Sequence, residues 1–255
     1  MADELLSRLD LLKASPVRVL DAGCGGGYCT DQLRHRYPDA EIVGIDLSLN
    51  MLRASAQIYA DTSMQRVQTS VEQFPFPGST FDLVISNLVL PWCDIGTALV
   101  ELCRIMTQGG ALMFSAFGPD TLIELRQAWA KADELPHVHG FYDMHDIGDA
   151  LLHAGFAEPI VDVDRITVTY VSMDAMIREL RHSGATNIHP QRRKSLTGKQ
   201  RLQKFCAAVE EYCDEDQRIP LTYEVIYGHA WVAPGHHSNN NSNSVSVPFE
   251  SLKMS

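Results

Sequence analysis

A glycine-rich loop near the start of the chain contains the residues best suited to holding a small molecule. It runs from Asp21 to Gly27 with the sequence DAGCGGG and follows a short apolar run at 17–20. Because glycine has no Cβ atom, such a loop can turn sharply and let a ligand approach the backbone closely. A glycine loop between a strand and a helix is typical of nucleoside-binding sites. We predict contacts there from Asp21, Gly23, Cys24 and Gly25.

The acid that opens this loop indicates the kind of nucleoside. Dinucleotide folds place a pyrophosphate on the helix N-terminus, and a carboxylate inside the loop would repel it. S-Adenosylmethionine (SAM) has no phosphate, and its amine and sulfonium are cationic, so the Asp21 carboxylate would attract it. The sequence therefore predicts a SAM site, and we expect no metal ion in it.

A second acid, Asp46, follows the next apolar run, 19 residues after Gly27. A carboxylate there can accept hydrogen bonds from both hydroxyls of a ribose, or it can merely cap the helix that begins near Ser48. Later segments resemble the stretches of class I methyltransferases that contact adenine and the methionine part of SAM. We assign further cofactor contacts to Leu47, Met51, Ser70, Val71, Asn87 and Leu88.

Alternating strands and helices would hold these residues at one edge of a sheet. Periodicity predicts strands at 17–20, 41–45, 65–69, 81–86 and 111–116, and helices at 28–37, 48–59, 95–106 and about 121–132. Two longer strands, at 160–170 and 223–232, are expected at an antiparallel end of the sheet. The predicted fold is α/β, a Rossmann-like class I SAM-dependent methyltransferase with a seven-stranded, mostly parallel sheet, an antiparallel final strand and a helical insertion.

One domain is predicted over residues 1–234, with a helical substrate cap inserted at about 119–143 and 172–220. The segment 235–255 is rich in Asn, Ser and His and is expected to be a disordered tail. No stretch reaches the roughly 18 consecutive apolar residues of a membrane span, so we expect a cytoplasmic protein without membrane contact. We also expect a monomer.

The cysteines and histidines do not suggest a metal site. Six cysteines are scattered without a CxxC pair, so reduced structural thiols are expected. His137 and His139 lack the neighbours that would complete a ligand set, and we predict that they lie in a solvent-exposed loop.

The charge of the chain is unevenly distributed. A net charge of -11 argues against nucleic-acid binding, because binding to phosphates needs a basic face. Eight Lys and Arg residues nevertheless stand against one Glu between Arg178 and Lys204. This basic cluster is either a solvated helix face or a docking surface for an acidic partner.

Four strings together resemble one family, the malonyl-[acyl-carrier protein] O-methyltransferases of biotin synthesis, over about residues 5–233. They are SNLVLPWC (86–93), FGPDTLIELR (117–126), MHDIGD (144–149) and LRHSGATN (180–187), followed by LTG at 196–198. A mitochondrial complex I assembly factor described as a protein-arginine hydroxylase is similar in the same places. Asn87 and the GATN string favour the biotin enzymes.

The resemblance implies methylation of the free carboxylate of a malonyl thioester on acyl carrier protein. A carboxylate with a pKa of about 4 is already ionised at neutral pH, so we expect no catalytic base. The candidates for contact with the acceptor are His145, Tyr170 and Arg193, although His145 and Tyr170 could equally be packing residues. The alternatives are a hydroxylase or other oxidoreductase, a non-catalytic assembly protein that retains SAM, and a methyltransferase of small molecules.

The resemblance implies a partner for the basic cluster, because acyl carrier proteins are acidic. Charge would steer the encounter if the basic side chains faced the carrier. We assign carrier docking to Arg192, Arg193, Lys194, Lys199, Arg201 and Lys204.

Overall fold

The computed structural model describes residues 1–12, 15–59, 64–182, 187, 191–193 and 195–235. Its strands are β1 (Arg18–Ala22), β2 (Glu41–Asp46), β3 (Gln65–Gln68), β4 (Phe81–Asn87), β5 (Met106–Phe117), β6 (Phe156–Tyr170) and β7 (Ile219–Val232). Its helices are α1 (Ala2–Ser7), α2 (Tyr28–Arg36), α3 (Leu49–Ile58), α4 (Ile95–Ile105), α5 (Ile123–Ala130), α6 (Met144–His153), α7 (Met173–His182) and α8 (Lys199–Glu210). Short 3-10 helices span Arg8–Leu11 and Leu90–Trp92.

The seven strands form one sheet in the order β3-β2-β1-β4-β5-β7-β6. The pairs β1–β2, β2–β3, β1–β4 and β4–β5 are parallel. The chain moves outward from β1 to β3 and then returns to the other side of β1, so the strand order reverses between β1 and β4. Ligands of open α/β sheets bind at the carboxyl ends of the strands at such a reversal, which is where the glycine loop lies.

Strand β7 runs antiparallel to β5. A Cβ atom on Gly228 would lie 2.4 Å from the ring of Phe114, while the Gly118 amide donates to the Glu224 carbonyl at 2.9 Å. Moving forward along β5 therefore means moving backward along β7. The predicted mixed sheet with an antiparallel final strand is confirmed.

Several element boundaries differ from the sequence-based prediction. Strand β5 begins at Met106, five residues early, because the register between β4 and β5 shifts and Gly109 adopts a φ of 72°. Gly109 and Gly110, which precede the predicted strand at 111–116, lie within β5 as an irregularity. Helix α5 begins later than expected because Leu122 is in the left-handed region with a φ of 56°. Strands β6 and β7 each extend four residues further toward the N-terminus.

The described chain divides into two compact units. Unit 1 comprises Met1–Ala116, Met144–Asp162 and the chain from Ile226 onward, and unit 2 comprises Phe117–Asp143 and Val163–Val225. Each unit has its own apolar core. The prediction of a single domain over 1–234 with an inserted cap stays a prediction, and most of the predicted tail, 236–255, lies outside the described residues.

The core of unit 1 is built on the sheet and on α4, and it contains Leu20, Val43, Leu99 and Phe114. The core of unit 2 contains Leu125, Tyr170, Phe205 and Leu221. In the part of the chain that the structure describes, no helix is long and apolar enough to cross a membrane.

Candidate cofactor site

The glycine loop connects β1 to α2 and is fastened to the end of β2. The backbone amides of Gly23 and Cys24 both donate to the carbonyl of Ile45, at 2.9 and 2.7 Å. Gly23, Gly25 and Gly27 have φ angles of 82°, 50° and 88°, a region that favours glycine. Helix α2 begins directly after Gly27, so the loop lies at a helix N-terminus as predicted.

The glycines of this loop have different physical roles. A Cβ atom on Gly23 would lie 2.1 Å from Cγ2 of Val89, and one on Gly27 would lie 2.2 Å from Oγ of Ser55. These two glycines allow close packing within the protein. In contrast, no atom of the described part of the chain lies within 4 Å of a Cβ atom placed on Gly25 or Gly26, so their backbone is open to an approaching ligand.

Asp21, at the end of β1, is a buried carboxylate with one oxygen left without a partner. Its Oδ2 accepts a hydrogen bond from Oγ1 of Thr30 at 2.5 Å, while Oδ1 has no hydrogen-bond partner among the residues that the structure describes. Burial raises the pKa of Asp21 to about 6, although the bonds from Thr30 act in the opposite direction. An unsatisfied carboxylate oxygen away from water is costly, and a cation beside it would relieve that cost. The group therefore fits the cationic end of SAM.

Asp46 holds the glycine loop and the start of α3 together. Its Oδ2 accepts from the backbone amide of Gly25 at 2.9 Å, and its Oδ1 accepts from that of Ser48 at 2.7 Å. The helix cap itself is Ser48, whose Oγ accepts from the amide of Met51 at 3.4 Å. Each oxygen of Asp46 retains a lone pair, so the carboxylate can still accept ribose hydroxyls.

Apolar side chains next to Asp46 are exposed. Leu47 is 71% exposed and Met51 is 47% exposed, which offers apolar surface to a base. After β3, Val71 is buried, and Oγ of Ser70 accepts from the amide of Glu72 at 3.1 Å. The predicted polar contact from Ser70 thus comes from a hydroxyl that already supports its own turn.

Asn87 and Leu88 lie at the carboxyl end of β4. The Oδ1 atom of Asn87 accepts from Oγ of Ser115 at 2.8 Å, and that hydroxyl accepts in turn from the amide of Leu88 at 3.1 Å. Leu88 has a φ of 58°, which turns the chain away from the strand. All the predicted cofactor residues lie within unit 1.

The three acceptor candidates are distributed over the two units. His145 is exposed near the start of α6 in unit 1. Tyr170, in unit 2, is buried, and its hydroxyl oxygen lies 3.5 Å from that of Tyr223. Arg193, also in unit 2, donates from Nη2 to Oδ2 of Asp133 at 2.9 Å.

Asp133 is a centre of interactions that the sequence analysis did not identify. It also accepts from Nε2 of His137 at 2.8 Å, and the His137 ring stacks on Trp129 at 3.8 Å. Burial would raise the pKa of Asp133, but hydrogen bonds from His137 and Arg193 lower it to about 2. The prediction that His137 is solvent-exposed is wrong, because only 12% of its side chain is exposed. The four-residue spacing of Asp133 and His137 was the available signal.

The basic residues assigned to docking fall into two groups. Four of them are exposed, namely Arg192, Lys199, Arg201 and Lys204. Arg193 differs, since its side chain is only 15% exposed. Arg193 pairs with Asp133 at 2.9 Å, and the more exposed Arg201 pairs with the same carboxylate at 3.8 Å. Lys194 lies outside the described residues. Among the described residues, no group of three or more His, Cys, Asp or Glu side chains is placed to hold a metal ion.

The chain has curated relatives over most of its length. Residues 20–114 match the model of a methyltransferase domain. A malonyl-[acyl-carrier protein] O-methyltransferase from Laribacter hongkongensis is 44% identical over 241 residues, which is 91% of this chain and 81% of that protein. A protein named malonyl-[acyl-carrier protein] O-methyltransferase 1, from Coxiella burnetii, is 39% identical over 99% of this chain and 87% of its own.

Solved structures share the fold at much lower identity. The YcgJ protein from Bacillus subtilis has a TM-score of 0.65 at 15% identity, covering 92% of this chain and all of that one. Phosphoethanolamine N-methyltransferase 2 from Haemonchus contortus, crystallised with SAM, has a TM-score of 0.56 at 15% identity, covering 91% of this chain and 52% of that one.

The site and the comparisons agree on the cofactor. A glycine loop opens onto a buried carboxylate suited to a cation, and a second carboxylate stands at the end of the next strand. The identity to the relatives, extending over nine tenths of the chain, reaches well beyond this cofactor-binding region. The chain belongs to the malonyl-[acyl-carrier protein] O-methyltransferase family of SAM-dependent methyltransferases.

Proposed function

We propose that this chain transfers the methyl group of SAM to the free carboxylate of a malonyl thioester on acyl carrier protein. The product is the malonyl methyl ester from which biotin synthesis starts. The observation that carries the proposal is 44% identity over 91% of the chain to a protein of this named activity. The cofactor residues of unit 1 support it, because they suit a phosphate-free, cationic nucleoside.

The cofactor residues divide the binding of SAM among them. Asp21 would hold the cationic amine, Asp46 would accept hydrogen bonds from the ribose hydroxyls, and Leu47 and Met51 would offer apolar surface to the adenine. Gly25 and Gly26 leave room for the ligand beside the backbone. When bound, SAM supplies an electrophilic methyl group on a sulfonium.

The acceptor does not require a catalytic base in the protein. Its carboxylate is ionised at neutral pH, so no side chain has to remove a proton. The residues around the acceptor then act by aligning a carboxylate oxygen and by excluding water. His145 can donate a hydrogen bond to that carboxylate, whereas an acceptor that binds Arg193 has to compete with Asp133 for its guanidinium.

The exposed basic residues Arg192, Lys199, Arg201 and Lys204 are the docking surface for the carrier protein in this proposal. Acyl carrier proteins are acidic, and this chain has a net charge of -11, so a local basic surface is needed for attraction. Lys194 belongs to the same stretch of sequence.

The proposal is tested by incubating the protein with methyl-labelled SAM and malonyl carrier protein, followed by mass spectrometry of the carrier. We expect one labelled methyl ester per malonyl group. Acetyl carrier protein, which lacks the acceptor carboxylate, is the control and should stay unlabelled. A protein that binds SAM but labels no malonyl carrier would refute the proposal, and faster labelling of malonyl-CoA would indicate a methyltransferase of small molecules.

A further inference from the structure

Unit 2 contains a pair of tyrosine hydroxyls, of which the sequence indicated only one. The hydroxyl oxygens of Tyr170 and Tyr223 lie 3.5 Å apart, although 53 positions separate the residues in the chain. Tyr170 is buried and Tyr223 is half-buried. Burial and the hydrogen bond with Tyr170 raise the pKa of Tyr223, so its hydroxyl stays protonated at neutral pH.

One O–H group of this pair is not used in the hydrogen bond between the two tyrosines. Each hydroxyl has a single proton, so the bond between the two oxygens uses only one of the two protons. The hydroxyl that accepts in this bond keeps its own O–H for a third group. Among the described residues, the structure gives neither hydroxyl another hydrogen-bond partner. The pair therefore presents a neutral donor to a ligand.

The neighbours of Tyr223 include aromatic rings and two carboxylates. The ring centroid of Phe117 lies 5.9 Å from that of Tyr223, and the ring of Phe141 lies 5.5 Å from that of Phe117. The two phenylalanines supply apolar surface. The charges of Glu124 and Glu179 add to the rise in the pKa of Tyr223, so its hydroxyl stays a donor. A short acyl group with an oxygen-bearing end matches both features.

We propose that the Tyr170–Tyr223 hydroxyl pair positions the free carboxylate of the acyl acceptor, an inference that rests on the proposed function. A neutral O–H holds the carboxylate without placing a full positive charge against it, so the attacking oxygen stays electron-rich. The transfer forms an O–C bond and breaks a C–S bond with no proton gained or lost. Both tyrosines therefore keep their protons and act as positioning residues.

The test compares how tightly malonyl carrier protein and acetyl carrier protein bind, measured by calorimetry with S-adenosylhomocysteine present. The acetyl group keeps the thioester carbonyl and lacks only the carboxylate. We expect the wild-type protein to prefer the malonyl form. Tyr170→Phe and Tyr223→Phe should each reduce that preference, the larger loss being about ten- to hundredfold, as for a hydrogen bond to a charged group. Affinity for the acetyl form should not change.

Two further readings separate positioning from packing. The double variant should lose no more of the malonyl preference than the worse single variant does, because the pair offers only one donor. In steady-state kinetics, the variants should show a raised KM for malonyl carrier protein and a smaller change in kcat. Tyr212→Phe is the matched control, since that hydroxyl donates to Oε1 of Gln127 at 2.6 Å in the same unit. It should leave the malonyl preference intact.

Two results would overturn the inference. One is equal binding of malonyl and acetyl carrier by the wild-type protein, a comparison that needs no variant. The other is a double variant that folds and retains the full preference. A preference that depends on the tyrosines, without any methyl ester formed, would support the pair while refuting the proposed function, so the two failures are distinguishable.

Discussion

Asp21 is buried under the glycine loop, and its position lowers the stability of the protein without cofactor. Folding raises its pKa from 3.8 to about 6, chiefly through burial, so the folded chain holds a proton there more tightly than the unfolded chain does. The stability contributed by this proton is lost as the pH rises between those two values. Above them the buried charge costs about 2–3 kcal/mol, at about 1.4 kcal/mol per pKa unit.

Asp21→Asn removes that charge and keeps the shape of the side chain. Without cofactor, we expect the variant to be more stable than the parent by about 2 kcal/mol near neutral pH, with the advantage shrinking toward about pH 4. Urea unfolding at several pH values measures the difference. An advantage that stays constant or grows toward acid pH would contradict the assignment of the raised pKa to Asp21.

The same carboxylate should make SAM affinity depend on pH. A cationic ligand prefers the ionised form of Asp21, so affinity should fall below about pH 6, approaching tenfold per pH unit. Titration calorimetry of the parent and of Asp21→Asn over this range tests the point. The variant should bind SAM more weakly near neutral pH, and its affinity should not fall below about pH 6. Parallel pH profiles of the two proteins would contradict the role assigned to the Asp21 carboxylate.

Asp133 should contribute to stability through its charged hydrogen bonds. Asp133→Asn weakens the interactions with Arg193 and His137. We expect a loss of about 2 kcal/mol in the free energy of unfolding, since hydrogen bonds to charged groups contribute about 1.5–3 kcal/mol. Urea unfolding measures it, with Glu215→Gln as an exposed control in the same unit. Equal stability of Asp133→Asn and the control would show that the cluster is not stabilising.

At the scale of elements, some glycines of the loop allow close packing within the protein, and others leave room for the ligand. Gly26→Ala adds a methyl group that has no described atom within 4 Å, so the variant should fold with unchanged stability. Its SAM affinity should fall by about tenfold or more, because the methyl group occupies the space through which the ligand approaches the backbone. Gly140→Ala, whose methyl group also meets nothing, is the control and should change neither property. Unchanged SAM binding in Gly26→Ala would place the ligand elsewhere.

Local patterns predicted most of the elements. The alternation of apolar runs and helical periodicity identified the strands and the helices around the glycine loop, because each depends on neighbours within a few residues. The early start of β5 was missed, since its irregularity depends on pairing with β4 across the sheet. Helix α5 was predicted to begin too soon because the left-handed Leu122 just before it donates its amide to the carbonyl of Thr222, a residue far away in the sequence.

The candidate site could be predicted in part, because local patterns report only on residues that are close together in the sequence. Asp21 and Asp46 were identified because their roles follow from position relative to a loop and a strand. The contact between Asp133 and Arg193 joins residues 60 positions apart, and that between Tyr170 and Tyr223 joins residues 53 apart. No local pattern encodes such pairs, so the tertiary structure is needed to identify them.

At the scale of the whole molecule, we expect the distribution of charge to influence the encounter with the carrier protein more than the net charge does. The chain has a net charge of -11, yet exposed basic residues gather on and just before α8. Reversal of Arg192, Lys199 and Lys204 to Glu should raise the KM for malonyl carrier protein at least tenfold and leave SAM affinity unchanged. The effect should shrink at high salt, because salt screens exposed charges.

Arg53→Glu is the control for this reversal, since Arg53 is an exposed basic residue on α3 in unit 1. It should have little effect on the KM for the carrier substrate. If the triple reversal and the control change KM equally, net charge rather than a defined surface controls the encounter.

The central claim is that a glycine turn and two aspartates bind a cationic nucleoside without phosphates. Titration calorimetry with S-adenosylhomocysteine and with NADH, under identical conditions, tests it most directly. We predict one site per chain for S-adenosylhomocysteine, which Asp21→Asn and Gly26→Ala both weaken, and no measurable binding of NADH. Tight binding of NADH, with none of S-adenosylhomocysteine, would contradict the account.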